Sequence, residues 1–282
     1  MRRGLAALIL LALPHLAAAQ SDVCRPGKAS NEARTMAKFA VPLAFGSGVA
    51  PAVHPAWRVQ LGIEVSYLPE VDDATATPTF CRPDKTHPEN TDLLFAAPRP
   101  RVWLSLPHGF VLEGSWTPPL EMGDVKANLF GVAIARTVMV AGHGMVLDLR
   151  AHATVGKIEA PITCNDEALT IADSPCYQGT RSNDSFRPNV MGGSLAVSWS
   201  SSGTFRPYLG VGFNHLAPRF QVNFTNQFGG TDRRKVEVDL NRLVLFAGAT
   251  WTFSRLEVGG EIYSAPTDAV TGRLIGRFRL RD

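Results

Sequence analysis

Apolar and polar residues alternate strictly over three neighbouring segments near the end of the chain. Over residues 241–253, Leu243, Leu245, Ala247, Ala249, Trp251 and Phe253 fall on one face. Over 255–263, Leu256, Val258, Gly260 and Ile262 share a face, with Arg255, Glu257, Glu261 and Tyr263 opposite. Over 272–281, Leu274, Gly276, Phe278 and Leu280 oppose Arg273, Ile275, Arg277, Arg279 and Arg281. A period of two is the period of a β-strand. Each run is about ten residues long, roughly what a strand needs to cross a bilayer. The polar faces of adjacent runs carry full charges, which an ordinary core does not accept unpaired. The pattern predicts the closing strands of a transmembrane β-barrel.

The same period recurs upstream. Over 57–68, Trp57, Val59, Leu61, Ile63, Val65 and Tyr67 oppose Arg58, Gln60, Gly62, Glu64 and Ser66. Hairpins are expected from 101–106 with 110–117, from 128–140 with 145–155, and from 190–199 with 205–214. The fold expected is all-β: an antiparallel up-and-down barrel of about ten strands, with a range of roughly 8–12. Connections alternate in length. Long ones fall at 69–98, 118–127, 156–189, 215–240 and 265–271; short ones fall at 107–109, 141–144, 200–203 and 253–255. Within the fourth long connection, 219–224 and 235–239 are expected to extend the flanking strands. Short turns on one side and long loops on the other mark outer-membrane barrels. Trp57, Phe110, Trp199, Phe205, Trp251 and Phe253 collect at the short-turn rim, and Tyr67 and Trp116 at the other. Amphipathic rings gather at membrane interfaces in this way. A soluble lipocalin-like barrel shares the period but turns its apolar face inward.

Composition adds a compartment. Residues 1–19 read as a secretory leader: Arg2 and Arg3, an apolar run, then Ala17, Ala18 and Ala19 before a mature start near Gln20. No later stretch reaches ~18 continuous apolar residues, so no transmembrane helix is expected. Lys and Arg total 28 against 25 Asp and Glu, without a basic arm, which excludes nucleic acid as a partner. Three regions follow: the leader, an irregular segment over 20–56, and the barrel over 57–282. In the irregular segment, 31–38 could form a short helix. Phe39, Val41, Leu43 and Phe45 alternate, but Pro42, Gly46 and Gly48 weaken a strand there. A plug, a periplasmic lead-in and an extra edge strand all remain open for it. An even strand number places both termini on the periplasmic side.

The stretch Pro207-Tyr208-Leu209-Gly210-Val211-Gly212-Phe213-Asn214 carries a Pro-Tyr-x-Gly-x-Gly-x-Asn pattern. Over roughly 57–280 the chain resembles the small bacterial outer-membrane barrels, the class that includes the OmpA transmembrane domain and OmpW. That resemblance implies the bacterial outer membrane, with membrane lipid and the barrel-assembly machinery as partners. One departure stands out. Such barrels end in an aromatic residue that the machinery reads, whereas here Phe278 is followed by Arg279, Leu280, Arg281 and Asp282.

The candidate chemistry lies mainly on the polar faces. Glu257 and Glu261 share a side with Arg273, Arg277 and Arg279 on the next strand; Glu64 joins them if the first strand closes on the last. Glu113, Asp148, Arg150, His152 and Arg206 extend the set. In a narrow barrel these charges are expected to pair and fill the lumen; a selective pore is the other use of such a lining. His215 and Ser264 both face outward at the long-loop rim, the pairing a lipid hydrolase would need. A whole strand separates them and no third group orients the histidine, so a surface histidine is expected. His108 and His143 fall in turns. Glu70, Asp72 and Asp73 cluster in the first long loop without the glycine turn or closing glutamate of a calcium loop. No metal or cofactor is expected.

Four cysteines in an exported chain favour disulfides. Cys164 and Cys176 share one loop and are expected to pair, leaving Cys24 and Cys81, although four cysteines allow three connectivities. The topology starts Cys24 on the periplasmic side and Cys81 outside. Their pairing therefore requires 20–56 to thread the lumen, or a strand count that is off by one. The function expected is a non-enzymatic outer-membrane barrel, structural or a narrow passage for small solutes. The alternatives are a lipid-modifying enzyme and a soluble binding barrel.

Overall fold

The structure, a computed structural model, describes residues 23–140, 144–199 and 204–280. The expected leader and its cleavage point, His143, the turn residues 200–203 and Asp282 lie outside the described residues.

Ten antiparallel strands close into a barrel. They are β1 (Val59–Tyr67), β2 (Ala96–Ser105), β3 (Phe110–Met122), β4 (Val125–Val140), β5 (Met145–Ala160), β6 (Val190–Trp199), β7 (Phe205–Leu216), β8 (Leu240–Phe253), β9 (Leu256–Ala265) and β10 (Ala269–Arg279). Each pairs with the next, and β10 closes on β1 with Ile275 opposite Glu64 and Arg273 opposite Ser66. The period of two places side chains as expected. Along β4, Leu129, Ala133 and Ala135 are buried inside, while Phe130, Val132 and Ile134 stand exposed outside. Ile63, Leu149, Phe213, Leu243, Ile262 and Leu274 continue this exposed apolar belt around the barrel.

Several boundaries differ from the sequence reading. The expected loop at 118–127 is a tight turn, because β3 runs to Met122 and β4 starts at Val125. Pro118 and Pro119 are absorbed as a register shift between Thr117 and Leu120 rather than ending the strand. The expected loop at 265–271 shrinks to the three residues between β9 and β10. β2 starts at Ala96, not at residue 101, despite Pro98 and Pro100. β1 starts at Val59, because Trp57 takes a positive φ of 67° at the rim.

Above the long-loop rim the sheet continues as short strands. Asp184–Arg187 pairs with β5, Arg219–Gln221 with Asp184–Arg187, and Lys235–Glu237 with Arg219–Gln221. Val23–Cys24 lies parallel on the outermost of these. The N-terminus of the described chain therefore sits at the long-loop end, opposite to the side expected for Cys24. From there the helix α1 (Asn31–Leu43) descends into the lumen. Ser30 caps it by accepting from the Ala33 N–H. The helix runs past residue 38, where the short expected helix stopped, and includes Pro42. Every residue from Ala40 to Ala52 is buried. The chain leaves at the short-turn end, where the Trp57 N–H meets the Ser105 carbonyl. The segment thus threads the lumen from the long-loop end to the short-turn end, and its buried part is called the plug for that position.

Small inward residues make room for it. A Cβ on Gly131 would come within 3.1 Å of the Phe45 ring, and one on Gly259 within 2.5 Å of the Gly48 carbonyl. The disulfides Cys24–Cys81 and Cys164–Cys176 are both formed. The first ties the head of the plug to the first long loop. The second is fully buried in a roof packed against Val222 and Phe224.

Candidate functional site

Alternation along β1, β2, β3, β5, β9 and β10 points one charged residue after another into the lumen, where isolated charges are costly. The structure pairs them. Glu64 takes Arg101 in a close ion pair and has Arg99 Nη2 at 3.4 Å. Glu113 bridges Arg101 Nη2 (2.5 Å) and Arg150 Nη2 (2.8 Å). Glu261 accepts from Arg273 Nη1 (3.1 Å) and the Tyr208 hydroxyl (3.0 Å). Nearer the short-turn end, Glu257 gathers Arg277 Nε (2.8 Å), Arg279 Nη2 (2.9 Å) and Arg206 Nη2 (3.0 Å). Asp148 and His152 share the lumen face of β5 with Arg150 and are buried.

The same arginines hold the plug. A helix leaves its last carbonyls without partners, and a cation is favoured at that end. Arg273 Nη2 donates to Ala44 O (3.0 Å), Val41 O (3.4 Å) and Pro42 O (3.5 Å). Arg101 Nη2 donates to Gly46 O at 3.0 Å, and Arg150 Nε to Phe45 O at 3.4 Å. The Phe45 ring lies 4.2 Å from the Arg101 guanidinium carbon and 5.5 Å from those of Arg99 and Arg150. Glu261 reaches back to the Gly48 N–H at 3.3 Å. Wall and thread thus form one polar layer.

Arg99 and Arg101 were not among the residues singled out from sequence. Their signal was present: 99, 101, 103 and 105 are in phase, and Arg99 lies opposite Glu64 on the paired strand β1. Pro98 and Pro100 hid it. His215 and Ser264 stay apart with β8 between them, and His215 is half-buried, with Nδ1 2.8 Å from Asn241 Oδ1. Asp72 caps the one-turn helix α2 (Asp73–Ala76) through the Thr75 N–H at 2.9 Å and pairs with Lys38 on the plug helix at 3.2 Å.

Above the polar layer the lumen changes character. A chamber of ≈ 1270 Å³, counted out into the solvent at its mouth, opens between α1, the barrel wall and the loops. Met36, Phe39 and Leu43 of the plug face Leu129, Ala127, Val125 and Met122 of the wall, with Leu93 and Leu94 of the first long loop. The lining is almost wholly apolar. Two arginines and two carboxylates, Glu32 and Glu89, interrupt it, with Thr35, Thr75, Thr91 and Thr117. Arg82 is 2% exposed and Arg99 4% exposed. Arg82 Nη1 donates to Glu89 Oε1 (2.8 Å) and Thr163 Oγ1 (3.1 Å), while its Nε and Nη2 have no hydrogen-bond partner among the described residues. Arg99 Nη1 also lacks one, while Arg99 Nη2 has only the Glu64 ion pair at 3.4 Å. Buried donors are almost always satisfied; these share their state with other lumen donors, among them Gln60 Nε2, Trp103 Nε1 and Arg273 Nε.

The roof over the chamber is built, not loose. Lys85 Nζ donates to Glu89 Oε2 (2.6 Å) and Thr163 O (2.9 Å), and burial lowers its pKa below the ordinary lysine value even so. Asp184 accepts from the Thr163 and Asn223 N–H groups at 2.6 and 2.8 Å. Burial raises its carboxyl pKa against those bonds.

No known protein family matches the sequence, and no curated protein matches it. Among solved structures the chain is similar to Ail, the attachment invasion locus protein of Yersinia pestis. That alignment covers 80% of this chain and 99% of Ail at 9% identity and a TM-score of 0.29. It is similar to the P. putida toluene transporter TodX over 81% of this chain and 72% of that one, at 11% identity and a TM-score of 0.31. Neisserial surface protein A aligns over 80% of this chain and 97% of its own, at 10% identity and a TM-score of 0.29. At identities and scores this low, what those proteins bind remains theirs alone.

Proposed function

We propose that this chain is a non-enzymatic outer-membrane barrel that closes its own lumen and holds a small molecule of apolar body in the chamber above the closure. The observation that carries this reading is the burial of Ala40 to Ala52 without a break, with wall arginines on the plug's carbonyls. A general pore needs an aqueous path, and the polar layer occupies it. A soluble barrel of lipocalin type keeps its apolar face inside, whereas here the charges are inside and the apolar belt outside. An apolar chamber with a few placed polar groups is the usual form of a small-molecule site.

Planar-bilayer recording tests the closure. Purified protein is expected to insert without steady ion current, and a stable ohmic conductance from the wild-type chain would overturn the reading. Native mass spectrometry with added dodecanoic acid tests the chamber. One bound copy is expected, and its loss on placing a charge at Leu129 (Leu129→Glu), with the barrel still folded, locates it.

A further inference from the structure

The barrel wall has a split. β2 and β3 pair only from Ser105 with Val111 up to Arg101 with Ser115. Both strands continue beyond that point. β2 stays paired with β1 up to Ala96, and β3 with β4 up to Met122. The two strands part from each other while each remains bound on its far side.

The cause can be read from backbone direction. Ser105 exchanges hydrogen bonds with the β1 side, through its carbonyl to Trp57 and its N–H to Arg58. The Leu106 N–H meets the Phe110 carbonyl of β3. Backbone groups alternate along a strand, so the even-numbered residues of β2 are the ones that face β3. The next two hydrogen-bonded rungs after Val102 with Gly114 would be Pro100 with Trp116, then Pro98 with Pro118. Three of those four residues have no N–H. The seam cannot zip, and the missing donors also spare the open edge the cost of unpaired N–H groups in lipid. The split lies within the apolar belt: Ile63 and Val65, which pair with Pro100 and Pro98, are exposed. On its inner side Pro98, Arg99 and Thr117 line the chamber.

We propose that this seam is a lateral portal, and that a long-chain carboxylate passes through it from the bilayer into the chamber. The proposal rests on the chamber reading above. An acyl chain suits the apolar lining, and a carboxylate suits Arg99 Nη1 beside the seam, whose Nη2 faces Glu64 at 3.4 Å, with Arg82 Nε and Nη2 in the roof, whose Nη1 holds Glu89. A ligand arriving from the bilayer has no need of the plugged lumen.

A diazirine-bearing hexadecanoic acid placed in the lipid of reconstituted vesicles tests this, with labelled peptides mapped after illumination. Label is expected on chamber residues Met36, Phe39 and Leu129 in the wild type. It is also expected in a Pro100→Cys, Trp116→Cys variant before crosslinking, and to fall about tenfold once a short bismaleimide bridges the two cysteines. Undiminished chamber label in the bridged protein overturns the portal and leaves the chamber standing. Chamber label that appears only when the acid is supplied to detergent-solubilised protein overturns the portal as well. No chamber label under either condition overturns the chamber reading itself. Competition in the unmutated protein checks the headgroup: dodecanoate should displace the label at least tenfold better than dodecanol, and equal displacement overturns the carboxylate assignment.

Discussion

Gly46 sits on the plug with no room for a side chain. A Cβ there would fall 1.9 Å from Arg273 Nη1, the nitrogen that binds Glu261. Gly46→Val should therefore cost about 1–3 kcal/mol through overpacking, read as a lower urea midpoint. Gly276→Val is the control, because nothing lies within 4 Å of its Cβ position; it should stay within about 0.5 kcal/mol of wild type. Equal losses at both sites would mean that the thread does not press on the wall. Asp72 shows a different use of a single residue. Its spacing with Glu70 and Asp73 suggested a cluster, and its actual partners lie in the backbone and on another helix. The Thr75 N–H, the Thr75 hydroxyl and Lys38 hold its carboxyl at about 2, below the ordinary aspartate value. A depressed carboxylate pKa stabilises the fold above the unfolded value, and that contribution is lost as pH falls through the folded one. The cap on α2 should thus persist down to about pH 4 and release towards pH 2. The Thr75 amide resonance in micelles should titrate with a midpoint near 2 and become flat in Asp72→Asn; a midpoint near 4 would show that the cap is not formed.

At the scale of elements, the strands were legible because a barrel wall imposes period two on every segment that crosses it. β1, β4, β8, β9 and β10 obey it over most of their length. Proline obscured the rest. Pro98, Pro100, Pro118 and Pro119 read as loop, because proline is foreign to a paired strand. Yet Pro98, Pro100 and Pro118 sit where their missing N–H groups face a seam that is open, so the strands run through them. The plug was half legible. Ser30 and the following residues announce a helix start, but Phe39, Val41, Leu43 and Phe45 fit period two as well as a helix turn. What settles the matter is tertiary: arginines from β2, β5 and β10 take the carbonyls that the helix end and the chain beyond it leave free. Residues in contact only through the lumen leave no periodic trace. The disulfide that ties the plug head encloses a sequence separation of 57, and loop-closure entropy assigns such a bridge about 4 kcal/mol. Cys24→Ser with Cys81→Ser should therefore lower the urea midpoint substantially. It should not open the lumen, since the arginine contacts from Val41 to Gly46 lie well below the bridge. Steady ion current through the double variant would place the plug's hold at the disulfide instead.

At the scale of the whole molecule, the distribution of charge separates the two barrels that period two allows. The lumen holds Glu64, Glu113, Glu257 and Glu261 in ion pairs with arginines, while the exterior between the rims exposes leucine, isoleucine, valine and phenylalanine. Exposed apolar surface on this scale is foreign to a monomer in water and ordinary for one in lipid. The difference is measurable as a depth profile. Leu274 lies mid-strand on β10, opposite Val65 and Gly260, and is 67% exposed. Leu280 lies just past the end of the same strand at the short-turn rim and is 48% exposed. In a bilayer, Leu274→Arg should cost about 2–4 kcal/mol and Leu280→Arg about 0–1 kcal/mol, because the penalty of a cation falls from midplane to interface. In water neither change touches a packed neighbour enough to matter, and both should stay within about 0.5 kcal/mol. Reversible unfolding from vesicles, followed by the gel-mobility shift between folded and boiled protein, reads both values. A flat profile would remove the membrane from the proposal and the lateral portal with it. A profile that peaks at Leu274 would fix the height of the belt and place the split between β2 and β3 inside it.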